Sequence, residues 1–138
     1  MSINLVNLRR CKSCIPLDRR SVLGNPFLLE EEGKREEVCI AHNEYLLLLL
    51  EEESLSPKEA AQRVLQAHPK LSIAKGWRKP SREAFFQELN RLRELAQTLP
   101  ILSIGCWCAP KKCHLSNYLP LLNGTSIIRS NQRRINSP

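Results

Sequence analysis

The chain has 138 residues, of which 42% are hydrophobic and 25% are charged, which is typical of one soluble globular domain with its own core. Its formal net charge is +7 at pH 7. The amino terminus lacks the basic region, apolar core and cleavage site of a signal peptide, and the apolar run Leu46–Leu50 is too short to span a bilayer. These observations argue against a secreted or membrane protein and predict a cytoplasmic protein with reduced thiols.

The apolar pattern predicts an α/β fold. Short apolar stretches predict strands at residues 3–8 and 101–106 and leave room for a further short strand. Apolar residues that recur every three or four positions predict helices near residues 36–52, 56–68 and 81–98. We therefore predict a single small domain with a mostly parallel sheet covered by helices, and a functional site at the carboxyl ends of the strands.

Local signals mark the ends of two helices. Ser56 and Glu59 have the spacing of a capping box, in which each side chain bonds the backbone amide of the other residue. The last element, near residues 116–122, contains Pro120, which has no amide hydrogen. With Ser116 as its cap, we predict that this helix is short or distorted.

Residues 106–114 read Cys-Trp-Cys-Ala-Pro-Lys-Lys-Cys-His and follow directly on the second predicted strand. They hold three of the six cysteines and one of the three histidines, which are the ligand types that tetrahedral zinc prefers. A zinc site is therefore the first hypothesis for this loop. Its four candidate ligands are Cys106, Cys108, Cys113 and His114.

Three alternatives to this ligand set stay open. Because the adjacent residues Cys113 and His114 do not easily reach one ion, the C-x-x-C pair Cys11 and Cys14 could bind zinc with two of the loop cysteines. Without metal, Cys113 could be a reactive thiolate, since it lies near two lysines at the start of a helix and beside His114. Cys113 and His114 are then the candidate catalytic residues. In the third alternative, the cysteines only pack in the core.

Residues 23–27, Leu-Gly-Asn-Pro-Phe, form a shaped turn. Gly24 permits backbone angles closed to other residues, and Pro26 keeps Asn25 out of helical space. The backbone amides of this turn, with nearby arginines, could hold a phosphate, and Asn25 could read a base or ribose edge. The candidate anion-binding residues are Arg9, Arg10, Arg20, Gly24 and Asn25.

Basic segments flank both motifs. Residues 9–20 carry five basic residues against one acid, and residues 111–138 carry five with no acid. This charge predicts either an anionic partner, such as a nucleotide or a nucleic acid, or only solubility together with a disordered tail. Residues 125–138 contain few apolar residues, so we predict a basic flexible tail through which a protein partner could bind. We expect no membrane partner.

The turn and the cysteine loop together resemble a family called domain of unknown function 4326, common in bacteriophages and bacteria. The shared motifs are L-G-N-P-F and C-W-C-x-P-x-x-C-H, and Asn7-Leu8-Arg9-Arg10 is similar to the family's opening. The resemblance covers residues 3–29 and 100–122. The resemblance implies a functional site between the two motifs but no established activity. If the protein is phage-encoded, we expect it in the host cytoplasm.

The sequence departs from this family in three places. Asp18-Arg19-Arg20 stands where a glycine-arginine pair is usual, so Arg20 is the candidate equivalent of that arginine. Leu115 and Ser116 stand where the family has a small residue and an acid. Residues 54–79 look like a helical insertion within a single domain that spans residues 1–124.

Three functions fit these observations, and whether the protein is an enzyme stays open. The first is a phage or bacterial accessory protein with a zinc-binding cysteine site, zinc being its cofactor, beside an anion- or nucleotide-binding turn. The second is a non-catalytic, zinc-stabilised module, such as a virion component, that binds protein or nucleic acid. The third is a thiolate enzyme that acts on a nucleotide or nucleic acid.

Overall fold

The computed structural model describes residues 2–11, 13–108, 111 and 113–123. The strands are β1 (Ser2–Asn7), β2 (Ile15–Pro16) and β3 (Ile101–Cys106). The helices are α1 (Arg35–Glu51), which follows a 3-10 turn at Glu32–Lys34, α2 (Pro57–Ala67), α3 (Arg82–Thr98) and α4 (Leu115–Asn123). The predicted α/β fold is confirmed, and β2 is the further short strand. No helix in these residues is both long and apolar enough to cross a membrane.

Within the described residues the strands form one parallel sheet in the order β1-β3-β2. Asn7, the last residue of β1, lies opposite Cys106, the last residue of β3. Pro16 at the end of β2 lies opposite Gly105. All three strands therefore end at the same edge of the sheet, and the segments that follow them leave from that edge.

The two faces of the sheet have different surroundings. Side chains alternate along a strand, so Leu102, Ile104 and Cys106 of β3 share one face. All three are buried, and they belong to the core that the helices complete. Gly105 faces the other way, where a Cβ atom would lie 3.1 Å from the sulfur of Cys14. Cys106 and Cys14 are therefore on opposite faces of the sheet.

Helix α4 connects the sheet to the other helices, since it contacts β1, β3, α1 and α3. It begins at Leu115, so Ser116 is not its cap; instead the Ser116 hydroxyl donates to the backbone oxygen of Cys113 at 3.0 Å. Pro120 lies inside the helix on its exposed side. The helix has nine residues and is short, as predicted.

The predicted capping box at the start of α2 is present. The Ser56 side chain accepts from the amide of Glu59, and the Glu59 carboxylate accepts from the amide of Ser56. Leu55 and Trp77, which belong to the predicted insertion 54–79, are buried in the core. That this segment is an insertion, and that residues 1–124 form the domain, stay predictions. The predicted tail, 125–138, lies outside the described residues.

A charged contact fastens the end of α2 to α1. The Nδ1 atom of His68 lies 3.0 Å from a Glu37 oxygen, and its Nε2 atom lies 2.9 Å from a Glu44 oxygen. Carboxylates only accept hydrogen bonds, so both ring nitrogens carry a proton in this arrangement. The hydrogen bonds to Glu44 and Glu37 raise the pKa of His68 above its usual value.

This contact predicts a pH-dependent stability. Because the folded-state pKa of His68 is raised, its stabilisation is fully present below about pH 6.5 and is lost as the pH rises through the folded-state pKa. We expect the free energy of unfolding to exceed that of His68→Gln most at about pH 5.5 and least at about pH 8.5. Urea unfolding of both proteins across this range measures the difference. A difference that does not change with pH contradicts the prediction.

Candidate metal centre

The loop after β3 brings three candidate ligands together. The ligand atoms of Cys106, Cys113 and His114 all lie within 4.8 Å of one another, and all three residues are buried. The sulfurs of Cys106 and Cys113 are 3.1 Å apart. The backbone amide of Cys108 donates to the Cys106 sulfur at 3.3 Å, so the chain turns tightly around that sulfur. A group of this kind can hold a metal ion.

The adjacent residues Cys113 and His114 do reach a common point, contrary to the difficulty expected from the sequence. His114 is fixed by a hydrogen bond from its Nε2 atom to the backbone oxygen of Leu17, at 2.8 Å. A carbonyl oxygen only accepts, so Nε2 carries the proton and Nδ1 keeps its lone pair. Histidine ligands of metals are commonly oriented by such a bond from the other nitrogen.

The pKa values of the three loop cysteines shift in opposite directions. Hydrogen bonds from Cys106 and Cys113, followed by the nearby Arg35 guanidinium, lower the pKa of Cys108 far below the usual thiol value. The hydrogen bonds among the three cysteines raise the pKa of Cys106 and Cys113. Burial lowers the pKa of His114, so its imidazole is neutral. These shifts favour Cys108 as the thiolate among the three cysteines, and metal binding would displace the protons of the other two thiols.

The amino-terminal pair Cys11 and Cys14 does not join this group in the described residues. The Cys14 sulfur donates to the backbone oxygen of Cys11 at 3.3 Å and lies behind Gly105, on the face away from Cys106. The sheet itself separates the two sets of thiols. The structure therefore does not bring together the alternative ligand set that combines Cys11 and Cys14 with the loop cysteines.

The Leu-Gly-Asn-Pro-Phe turn lies beside the cluster. Gly24 does not have a positive φ angle, so the expected reason for glycine is wrong. Instead, a Cβ atom at this position would lie 2.6 Å from the backbone oxygen of Asp18. The side-chain oxygen of Asn25 accepts from the amide of Phe27 at 2.9 Å, which stabilises the turn. The Tyr118 hydroxyl of α4 donates to the backbone oxygen of Leu23 at 2.7 Å.

A cavity of about 170 Å³ lies between this turn, the cysteine loop and the start of α1. All four candidate ligands line it, and so does Asn25. Its remaining polar and charged lining comes from Asp18, Arg19 and Arg35, while apolar side chains such as Phe27 and Val38 complete the wall. The cavity therefore joins the two sequence motifs in one site at the carboxyl ends of the strands.

Trp107 stands at the border of this cavity and is 53% exposed. Its indole Nε1 donates to the Asp18 carboxylate at 3.0 Å, and its backbone oxygen accepts from the Asn7 side chain at 3.2 Å. Asp18 also forms an ion pair with Arg20 at 3.0 Å. Asp18, one of the departures from the family, thus holds an exposed tryptophan in place.

The candidate anion-binding residues separate in space. Among the five, Asn25 lines the cavity, whereas Gly24 is buried within the turn. Arg9 and Arg10 are exposed, and the Arg20 side chain pairs with Asp18. The four residues other than Asn25 do not line the cavity. A shared role in anion binding stays a prediction.

Sequence reasoning missed several residues of the site. Arg35, in the first turn of α1, bonds Glu32 and Cys108, and these contacts raise its pKa. His42 is fully buried, and its ring lies 5.1 Å from that of His114. The Nδ1 atom of His42 accepts from Asn117 at 3.0 Å. Glu32 and Arg35 are only three positions apart. No local signal could have found the contacts with Cys108, His114 and Asn117, because those partners lie far apart along the chain.

The fold and this cluster define a small α/β domain with a Cys/His group at the carboxyl ends of a parallel sheet. A family model described as domain of unknown function (DUF4326) matches residues 6–124. The chain therefore belongs to this family, as its motifs indicated. Searches of curated proteins and of solved structures found no match.

The close approach at Gly24 predicts the effect of a single methyl group. Gly24→Ala should lower the free energy of unfolding by about 1–3 kcal/mol, because the new Cβ atom would meet the Asp18 backbone oxygen rather than a flexible side chain. Gly33→Ala is the control, since nothing lies within 4 Å of a Cβ atom there. Denaturant unfolding measures both variants, and equal stability would contradict the prediction.

Proposed function

We propose that this domain binds one zinc ion through Cys106, Cys108, Cys113 and His114. The observation that carries the proposal is the buried group of Cys106, Cys113 and His114, with ligand atoms within 4.8 Å of one another. The bond from His114 Nε2 to Leu17 leaves Nδ1 as the ligand atom. Cys108 also lines the cavity and would complete a tetrahedral set.

The chemistry of the ligands favours zinc. Thiolate and imidazole ligands suit zinc, whereas calcium and magnesium require oxygen ligands. Four protein ligands around one ion are typical of a structural site, and such a site contributes folding free energy. The ion would hold the β3–α4 loop on the sheet. We propose that the protein is a phage or bacterial accessory protein in which the metal shapes a binding surface. The adjoining turn and the arginines would bind a nucleotide or nucleic acid.

A thiolate enzyme is the second candidate, and the neighbourhood of Cys108 favours it. Arg35 lies close enough to Cys108 to stabilise a thiolate, and Cys108 is only partly buried. Cys113, which the sequence indicated as the nucleophile, is 7% exposed, and its pKa is raised. If the cluster holds no metal, Cys108 is therefore the better candidate nucleophile, with Arg35 as its counter-ion.

Metal analysis tests the first proposal. Purified, reduced protein should contain about one zinc per chain. Acid or a strong chelator should release the ion, because its ligands must be deprotonated, and release should lower the melting temperature. Cys108→Ser should lower both the zinc content and the melting temperature.

Two further variants serve as controls for that experiment. Cys39→Ser should keep its zinc, because Cys39 is not one of the clustered residues Cys106, Cys113 and His114. Cys11→Ser should also keep it, because the sheet lies between the amino-terminal pair and Cys106; loss of zinc there would instead implicate Cys11. Purified protein that contains no metal, and whose melting temperature does not change with a chelator, would refute zinc binding. Faster alkylation of Cys108 than of Cys113 in that sample would support the thiolate enzyme.

The arginines outside the cavity predict a separate effect on polyanions. Arg9→Ala, Arg10→Ala and Arg20→Ala together should weaken binding to nucleotides or nucleic acid. The loss should be largest at low salt, where exposed charges are least screened. Retention on heparin and nucleotide titrations at two salt concentrations measure it. Unchanged retention and unchanged nucleotide affinity would remove these residues from the proposed anion site.

A further inference from the structure

Arg19 differs from the other charged residues around the cavity, because no described carboxylate lies within ion-pair distance of it. Arg20 pairs with Asp18, and Arg35 pairs with Glu32. Arg19 lines the cavity and is half-buried. Its charge is therefore partly removed from water without a described counter-ion, which is costly unless an anion completes the pair.

The hydrogen bonds of Arg19 lead to the same conclusion. Its Nε atom is buried and has no partner in the described residues. Its Nη2 atom makes one long contact, 3.4 Å, to the backbone oxygen of Phe27. A guanidinium has five donors in a planar fork that matches carboxylate and phosphate groups. Apart from that contact, no described residue accepts a hydrogen bond from the Arg19 guanidinium, and the residue lines the cavity.

Asn25 adds a second donor to the same cavity. Its side-chain oxygen is occupied by the amide of Phe27, so the amide nitrogen is the part that can reach a ligand. No described residue bonds that nitrogen. Arg19 and Asn25 thus offer only donors, which selects for a ligand that accepts hydrogen bonds.

The remaining walls are apolar and partly preformed. Phe27 and Leu28 line the cavity, and Trp107 stands at its border, held by Asp18. A tryptophan that is 53% exposed and fixed by a hydrogen bond offers a rigid face for a flat group. The volume of about 170 Å³ corresponds to roughly five or six waters at about 30 Å³ each, so it admits an anionic group or one ring. A larger ligand would extend out past Trp107.

We propose that Arg19 and Asn25 bind the phosphate or carboxylate group of a small molecule whose flat body packs against Trp107. The site goes beyond the proposed zinc function, because its hydrogen-bond donors, Arg19 and Asn25, are not among the proposed zinc ligands. It also adds Arg19, a residue inside the cavity, to the proposed anion-binding residues Arg9, Arg10 and Arg20, which do not line it.

The intrinsic fluorescence of Trp107 can report binding. The chain has two tryptophans, and Trp77 is buried with an indole nitrogen that has no described partner. Trp77→Phe removes its signal without breaking a described hydrogen bond. Full-length Trp77→Phe protein is titrated with phenyl phosphate, benzoate and AMP, and with phenol and adenosine as uncharged controls. Zinc content is measured in every sample.

We expect at least one anion to change the Trp107 emission saturably, and its uncharged analogue to bind at least about tenfold more weakly. Arg19→Gln in the same background should raise the Kd about tenfold or more and leave the zinc content unchanged. Lys58→Gln, an exposed charge on α2, should change the Kd less than about twofold. If Arg19→Gln does not fold, Arg19→Lys replaces it; it should also bind more weakly, because lysine lacks the planar fork.

Several outcomes would overturn the proposal. These are no saturable signal with any of the anions, equal binding of the uncharged controls, or an unchanged Kd in the Arg19 variant that folds. Preference for AMP would identify a nucleotide ligand, and equal binding of phenyl phosphate and benzoate would identify a general aromatic anion; both support the site. If the purified protein contains no zinc and still binds an anion through Arg19, the zinc function fails and the anion site stands.

Discussion

The parallel pairing of β3 with β1 and β2 is the constraint on which the candidate site depends. Because parallel strands end at the same edge, the segments after Asn7, Pro16 and Cys106 all begin side by side. Leu17, directly after β2, can therefore offer its backbone oxygen to His114. The same register brings Trp107 to the side chain of Asn7. An antiparallel arrangement would send one of these segments to the opposite end of the sheet.

Helix α4 fixes the cluster from the other side. The hydroxyl of Tyr118 donates to the Leu23 backbone oxygen. The side-chain amide of Asn117 donates to the Cys39 backbone oxygen and to Nδ1 of His42. These buried bonds join the first half of α4 to the turn and to α1. Since Cys113 and His114 immediately precede the helix, their positions follow from its docking. The docking of α4 therefore positions two members of the group that could hold a metal ion.

Some charged side chains around the cavity have an oppositely charged or hydrogen-bonding partner, and Arg19 has no described counter-ion. Arg35 has both Glu32 and Cys108 as neighbours, and Asp18 has both Arg20 and the Trp107 indole. Arg19 has neither a carboxylate nor a thiolate partner among the described residues. Compensated charges hold the walls in place, whereas a half-buried charge without a counter-ion favours an anion from solution. The candidate metal group and the proposed anion donors Arg19 and Asn25 would then share one cavity.

The sequence by itself determined most of the elements and the location of the candidate site. Residues 101–106 were predicted as a strand and form β3, and the capping box at Ser56 marked the start of α2, because strand patterning and helix capping depend on residues a few positions apart. The two motifs also indicated the family and the edge of the sheet where the site lies.

Only the tertiary structure decided which side chains meet there. The contact between Asp18 and Trp107 joins residues 89 positions apart, and no local pattern specifies it. The separation of Cys14 from Cys106 depends on the alternation of side chains across a sheet whose register the sequence does not state. The need for glycine at position 24 likewise comes from the Asp18 backbone packed against it, and not from the turn's own dihedral angles. These features depend on strand register and on the docking of α4, which are set by packing over the whole domain.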